Sequence, residues 1–247
     1  MPQILIDMQK IINYSDLKER IELLSTRYVN AEPYPHIVLD NIIDPKMLQV
    51  GLDEFPTPDD SRWFICPNIN GELRNKQAIW DFEKMPDTLS RIMLELNAGP
   101  FVQFLEKLTG IYPLVSDPHL YGAGLHMTRQ GGSLGIHADH NINPRVLLYR
   151  RVSVILYLNE AWEDSWGGQL EMWSNNMTHC VEKITPLFGR MVIFSNSETS
   201  YHGHPTPLTC PEGIDRKSLA IYFDSINPDP SYTPKQHRAL FQNPIKK

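Results

Sequence analysis

The chain has 247 residues, of which 41% are hydrophobic and 21% charged. This composition excludes a disordered chain, because there is ample apolar material for a packed core. A formal net charge of -6 gives no general attraction to phosphate backbones, so we expect nucleic acid not to be a partner. The chain starts without a signal-peptide pattern, holds no apolar run of membrane-span length, and carries Cys66, Cys180 and Cys210 in no paired motif. We therefore expect a cytoplasmic protein without a membrane partner.

Residues 1–118 predict an α/β segment with supporting helices. Ser15 is the expected N-cap of an amphipathic helix over residues 15–27, and a strand is expected over 36–43. Pro45 opens a predicted helix that runs to residue 55. The remaining elements expected in this segment are a short strand over 78–82 and helices over 86–97 and 100–108.

Residues 119–225 change to short β-rich runs separated by Gly, Pro, Asn and Ser, which is typical of a β-sandwich or barrel. The runs are LYGAGLHM, RVSVILYLN, GGQLEMW, GRMVIFS and RKSLAIYF. No glycine-rich phosphate loop is present, so no nucleotide cofactor is indicated. We predict one domain over residues 1–247 that is mainly β with flanking helices, and residues 226–247 are its C-terminal tail.

A candidate metal site begins with His137 and Asp139 in GGSLGIHADHN. They lie two apart, and the period of two in a strand sends both side chains to one face. His202 in SYHGHP follows 63 positions later, far enough for an antiparallel strand to return to the same place. Two imidazoles and one carboxylate are the facial triad of non-haem Fe(II) oxygenases. His204 competes with His202, because both lie on the same strand face.

Arg216 and Ser218 in RKSLAIYF lie on one strand face and together could hold a carboxylate. A guanidinium fork matches a carboxylate, and a hydroxyl adds one donor. The distal end of 2-oxoglutarate requires this pair of contacts.

These motifs, in this order, resemble the 2-oxoglutarate and Fe(II)-dependent dioxygenases, specifically their prolyl 4-hydroxylase-like branch. The resemblance covers roughly residues 121–225. HAD is similar to the HxD ligand pair, YLNEAW followed by GGQLEMW to the branch's YLN, GG and L pattern, and GRMVIFSNSETSYHG to the strand before the distal His. The resemblance to this family implies a double-stranded β-helix (jelly-roll, cupin-like) core with catalytic function.

The resemblance also implies roles for individual residues. It makes His137, Asp139 and His202 the Fe(II) ligands, with His202 preferred over His204 because the family's distal His directly precedes a Gly. The cosubstrate residues that it implies are Arg216 and Tyr157 for the C5 carboxylate of 2-oxoglutarate, Ser218 beside Arg216, and Leu170 as an apolar wall. The chain departs from the family at Met127, near where some prolyl hydroxylases carry a further pocket tyrosine.

The implied reaction inserts one atom of O₂ into a C–H bond, while 2-oxoglutarate becomes succinate and CO₂ and ascorbate (vitamin C) serves as a candidate reductant. The segment EPYPHIVLDNIIDP resembles the entry segment of prolyl hydroxylases that act on proteins, so the expected substrate is a prolyl residue in a peptide or protein. A free amino acid or other small-molecule substrate is the alternative, and a non-catalytic β-barrel binding protein is less favoured. Arg145, in the loop 141–149, is expected at the mouth of the site, where it could bind an acidic substrate. The oligomeric state does not follow from the sequence.

Overall fold

The computed structural model describes residues 11–68, 71–227 and 235–242. Within these residues, thirteen β-strands join one curled antiparallel sheet, and five α-helices pack on the same hydrophobic core. This confirms the predicted mainly β fold with flanking helices. No helix in the described ranges is long and apolar enough to cross a membrane.

The helices contribute large apolar side chains to the core that lies behind the sheet. Leu89, Leu96 and Leu105 are fully buried, and the ring of Phe101 lies 6.0 Å from that of Phe223 in the sheet. The helices are α1 (Tyr14–Glu19), α2 (Ile21–Val29), α3 (Pro45–Asp53), α4 (Asp87–Asn97) and α5 (Gly99–Thr109).

The first helical segment differs from the prediction of one helix capped by Ser15. The side chain of Asn13 accepts the Asp16 backbone N–H, so the helix begins one residue before Ser15. Arg20, at φ -97° and ψ 0°, separates α1 from α2. The strand predicted over residues 36–43 ends at Asp40, because Asn41 adopts a positive φ of 61°.

The sheet follows the order β1-β10-β7-β12-β5-β11-β8-β9. Its strands are β1 (His36–Asp40), β2 (Phe64–Ile65), β3 (Leu73–Ile79), β4 (Val115–Ser116), β5 (Gly124–Ala138), β6 (Ile142–Asn143), β7 (Leu148–Tyr157), β8 (Leu170–Trp173), β9 (Cys180–Ile184), β10 (Arg190–Ser195), β11 (His202–His204), β12 (Arg216–Ser225) and β13 (Leu240–Phe241). The strand predicted over residues 78–82 is β3, which begins earlier, at Leu73.

Strand β5 positions the site because its two halves pair with different neighbours. Its first half pairs with β12, where Thr128 lies opposite Arg216. Its second half pairs with β11, where His137 lies opposite His202. Directly opposed residues in an antiparallel pair project to the same face. One long strand thus brings the arginine and the histidines to one cavity.

Candidate active site

The two ends of one cavity of about 310 Å³ carry the residues that the sequence singles out. At the first end, Nε2 of His137 lies 3.4 Å from one carboxylate oxygen of Asp139, and Nε2 of His202 lies 3.8 Å from the other. One donor atom from each of the three residues falls within 4.8 Å of the others. Three buried donors that converge in this way, two imidazoles and one carboxylate, fit a divalent transition-metal ion.

The orientation of both imidazoles is fixed by hydrogen bonds within their own chain segments. Nδ1 of His137 donates to the carbonyl of Gly135 at 2.9 Å, and Nδ1 of His202 donates to that of Ser200 at 2.9 Å. A carbonyl can only accept, so each Nδ1 carries the proton and each Nε2 keeps its lone pair for a metal. Burial lowers the pKa of His202 to about 4, which favours this neutral form.

Asp139 lies just past the end of β5. Its Oδ2 accepts a hydrogen bond of 3.2 Å from the hydroxyl of Ser153, which in turn accepts one of 2.7 Å from Asn196. Burial alone would raise the pKa of Asp139, but His202 and His137 outweigh it and hold that pKa well below its usual value. The carboxylate is therefore ionised, as a metal ligand must be.

His204 lies in the same cavity but apart from the three converging donors. The register of β11 on β5 shifts between His202 and His204, so His204 lies opposite Leu134. Its Nδ1 is buried without a hydrogen-bond partner, and burial holds its pKa well below the usual value. A Cβ on the intervening Gly203 would lie 2.6 Å from the Gly135 carbonyl, so the glycine allows β11 to approach β5.

Arg216 forms the second end of the cavity and is turned towards β7 and β8. Its Nε donates to the carbonyl of Gly168 at 2.7 Å, and its Nη2 donates to the hydroxyl of Tyr157 at 3.2 Å. Nη1 makes no hydrogen bond within the described part of the chain and remains for a ligand. Gly168 has φ 76°, and a Cβ there would lie 3.2 Å from the Arg216 side chain, which explains the glycine before Gln169 and Leu170.

The remaining predicted cosubstrate residues surround Arg216. Ser218 lies opposite both His126 and Tyr157 in the sheet and lines the cavity, as Leu170 does. Tyr157 is fully buried, and its hydroxyl reaches the cavity through Arg216. Six of the seven residues that the sequence singled out thus line one cavity, and the seventh, Tyr157, lies behind Arg216.

Sequence reasoning missed Lys76, His126 and Thr128, which also line the cavity. His126 faces the cavity from β5, and burial holds its pKa well below the usual value. Its neighbour Met127 is fully buried in the hydrophobic core instead, so the pocket position on β5 is one residue earlier than the family pattern suggested. The alternation along β5 would have shown this, had the register with Ser218 been known.

The mouth of the cavity is formed by the β2–β3 hairpin. Phe64 and Trp80 line the cavity, their side chains are 50% and 42% exposed, and their rings lie 5.0 Å apart in an edge-to-face arrangement. Arg145 is not among the residues that line the cavity, and its contact with an acidic substrate stays a prediction. Phe241 of β13 covers the metal end, with its ring 5.3 Å from that of His137.

The family model of the 2OG-Fe(II) oxygenase superfamily matches residues 123–224, the segment that carries all seven residues. Over these residues the chain is similar to this superfamily, whose name specifies Fe(II) and 2-oxoglutarate. The two imidazoles and one carboxylate at the metal end suit Fe(II).

The chain is also similar to a prolyl hydroxylase. It is 26% identical over 195 residues to the prolyl 3,4-dihydroxylase OGFOD1 of Ostreococcus tauri, an alignment that covers 70% of this chain and 35% of that protein. The chain thus spans about a third of the length of this curated relative.

Two solved structures share the fold. One is a prolyl hydroxylase of Trichoplax adhaerens in complex with a peptide fragment of the hypoxia-inducible factor oxygen degradation domain: TM-score 0.61, 15% identity, and coverage of 85% of this chain and 91% of that one. The other comes from the prolyl 4-hydroxylases of Phytophthora capsici: TM-score 0.57, 17% identity, and coverage of 88% of this chain and 67% of that one.

Proposed function

We propose that the chain is a 2-oxoglutarate-dependent hydroxylase that inserts one oxygen atom from O₂ into a C–H bond of a prolyl residue in a peptide or protein, with release of succinate and CO₂. The observation that carries this proposal is the single cavity with converging metal donors at one end and a partly free guanidinium at the other. Similarity to a prolyl dihydroxylase supports the prolyl substrate.

In this proposal His137, Asp139 and His202 bind Fe(II). Their donor atoms converge, and both histidines present Nε2 because Nδ1 is already hydrogen-bonded. Ser153 holds one oxygen of Asp139 and so limits rotation of the carboxylate. His204 is not a ligand in this assignment.

Arg216 binds the C5 carboxylate of 2-oxoglutarate with the help of Tyr157, while Ser218 and Leu170 line the same end of the cavity. The Gly168 carbonyl and the Tyr157 hydroxyl hold the Arg216 guanidinium in place before the ligand binds, which reduces the entropy lost on binding. When bound, Fe(II) supplies the activation of O₂ and the oxidising power, while the protein supplies orientation and a dry cavity.

The prolyl ring is proposed to enter from the mouth between Phe64 and Trp80. A cavity of about 310 Å³ suits a cosubstrate and one side chain better than a whole peptide, so the rest of the substrate would lie outside. We further propose that residues 1–247 act as one domain and that the protein works in the reducing cytoplasm, where Cys66, Cys180 and Cys210 remain free.

A mass-spectrometric screen tests the proposal. The chain is incubated with Fe(II), 2-oxoglutarate, ascorbate and either proline-containing peptides or free amino acids. We expect a gain of about 16 Da on proline in at least one peptide, with succinate formed in equal amount. A gain on free amino acids alone would contradict the prolyl substrate, and absence of a visible charge-transfer band with anaerobic Fe(II) and 2-oxoglutarate would contradict the cosubstrate.

A further inference from the structure

Lys76 is a second cation in the cavity, and the proposed function leaves it without a role. Asp139 is the sole acidic residue that lines the cavity among the described residues, whereas both Lys76 and Arg216 line it. The ammonium of Lys76 makes no hydrogen bond or ion pair within the described part of the chain. Lys76 is half-buried, and a partly desolvated cation is costly unless it is paired, so an unpaired one points to an anionic ligand.

The backbone of β3 directs Lys76 into the cavity. Residues two apart in a regular strand share a face. Arg74 is nevertheless exposed and donates to the Gly71 carbonyl, whereas Lys76 lines the cavity. Between them the register of β3 on β5 shifts, Asn75 adopts a φ of 47°, and the Asn75 amide donates to the Gln130 carbonyl at 3.0 Å. Such irregularities re-aim side chains, often next to active sites.

The charges in the loaded cavity indicate what Lys76 could bind. Fe(II) and a doubly negative 2-oxoglutarate cancel each other, and Asp139 balances Arg216. Burial raises the pKa of Cys66 and lowers the pKa of His126, which keeps both of these groups neutral. Lys76 is then the one cation of the described lining without a counter-charge.

The position of Lys76 separates it from the carboxylate that Arg216 is proposed to hold. Lys76, Thr128 and Arg216 lie in one row across β3, β5 and β12, so two strand spacings, about 10 Å, separate the backbones of the two cations. Arg216 is turned away from β3, towards Tyr157 and Gly168. Lys76 instead belongs to the hairpin that carries Phe64 and Trp80 at the mouth.

We propose that Lys76 binds a carboxylate of the primary substrate, so that the protein prefers a target residue with an acidic side chain beside it. This inference rests on the proposed prolyl hydroxylase function. The carboxylate could also come from 2-oxoglutarate, and the two sources are separated by measuring peptide and cosubstrate binding independently.

The first measurement is the binding of five-residue peptides, acetylated and amidated, with a central proline among alanines. Glu or Gln is placed at each of the other four positions in turn. Fluorescently labelled peptides are titrated anaerobically with the full chain loaded with Fe(II) and 2-oxoglutarate, so that no turnover occurs. We expect one Glu peptide to bind wild-type protein about tenfold more tightly than its Gln counterpart.

The Glu-to-Gln ratio should fall to about one in Lys76→Met and in Lys76→Gln, the second variant being available if the first does not fold. Lys76→Arg should keep a preference, because it keeps the charge. Arg74→Gln is the matched control: it removes a cation two residues away that lies outside the cavity lining, and it should keep the full ratio.

The second measurement is the affinity for 2-oxoglutarate, from anaerobic titration of the charge-transfer band. Lys76→Met should change it by less than about threefold. A tenfold loss of 2-oxoglutarate affinity with an unchanged Glu-to-Gln ratio would assign Lys76 to the cosubstrate and overturn the proposal. Equal binding of all Glu and Gln peptides to wild type, or no binding, would overturn it as well.

Failure of the proposed function is read separately. The peptides are also made with alanine in place of proline, and all of them are examined by mass spectrometry after turnover in air. If proline gains no oxygen, the prolyl hydroxylase function fails, while the anaerobic Glu-to-Gln ratio still decides the role of Lys76.

Discussion

The two walls of the cavity each carry one cation, and only one of these cations, Arg216, is hydrogen-bonded to the described part of the protein. On the wall formed by β7, β8 and β12, Arg216 is held by the Gly168 carbonyl and the Tyr157 hydroxyl. On the wall formed by β2 and β3, Lys76 has no partner among the described residues and follows an irregularity at Asn75. In the proposed function, Arg216 binds the same cosubstrate in every turnover, so its contacts can be preformed. Lys76 is proposed to bind substrates that differ, so its ammonium stays unpaired until one arrives.

The largest expected effect is a loss of activity from a substitution at the metal end, because the ligands of both walls react there in the proposed function. Asp139→Ala should lower succinate formation by well over about 100-fold, more than loss of an outer hydrogen-bond partner usually does, because it removes the only carboxylate among the donors. His204→Ala is the matched control and should keep most of the activity. If His204→Ala is inactive and His202→Ala active, the assignment of the third ligand is wrong.

The next largest effect tests the preformed wall. Arg216→Met should weaken 2-oxoglutarate binding by about 10- to 100-fold, because a charge-assisted contact is lost. Tyr157→Phe removes only one hydroxyl and should cost about tenfold or less. Anaerobic titration of the visible band measures both. If Arg216→Met binds 2-oxoglutarate with unchanged affinity, Arg216 does not hold the C5 carboxylate. The proposed difference between Arg216 and Lys76 would then be lost.

A stability measurement tests the irregularity in β3. Asn75→Ala should lower the free energy of unfolding by about 1–2 kcal/mol, because alanine is strained at a positive φ and also loses the hydrogen bond to Gln130. Asn75→Gly also loses the hydrogen bond to Gln130, but glycine adopts a positive φ without strain. Urea unfolding should therefore show a smaller loss of unfolding free energy for Asn75→Gly than for Asn75→Ala. Equal losses in the two variants would show that the hydrogen bond, rather than the backbone conformation, carries the effect.

The smallest expected effect concerns pH. Burial lowers the pKa of Lys76 below its usual 10.5, the carboxylate of Asp139 opposes that change, and Arg216 adds to it. The ammonium is the form present at lower pH, so the Glu-to-Gln preference should be full near neutrality and decline as the pH rises towards 10.5. Lys76→Arg should keep its preference across this range, because the guanidinium stays charged. A parallel decline in Lys76→Arg would trace the effect to another group.

The metal end could be predicted from sequence because its signal is local. His137 and Asp139 are two residues apart, and Arg216 and Ser218 repeat that spacing, so each pair needs only the period of a strand. The choice of His202 over His204 needed the family pattern, and the geometry favours the same residue.

The substrate-facing wall could not be predicted, since it depends on register between distant segments. Lys76 lay outside the strand expected over residues 78–82, and nothing local indicates that the register shifts at Asn75. The choice between His126 and Met127 as the residue that faces the cavity also depends on register, because only the pairing with Ser218 decides it.

The hydrogen bonds that orient the two cavity histidines have a third example at the start of β1. Nδ1 of His36 also donates to the carbonyl two residues earlier, that of Tyr34, at 2.9 Å. There, however, Nε2 lies 2.6 Å from the carboxylate of Glu182, which occupies the direction that an ion would take. The same hydrogen bond, from Nδ1 to the carbonyl two residues earlier, thus orients the imidazole in all three histidines. The difference lies in the distance to the carboxylate: Glu182 is 2.6 Å from Nε2 of His36, whereas the oxygens of Asp139 are 3.4 Å and 3.8 Å from Nε2 of His137 and His202. A carboxylate at hydrogen-bond distance makes the imidazole a structural contact, and one held farther away leaves room for an ion between the donors.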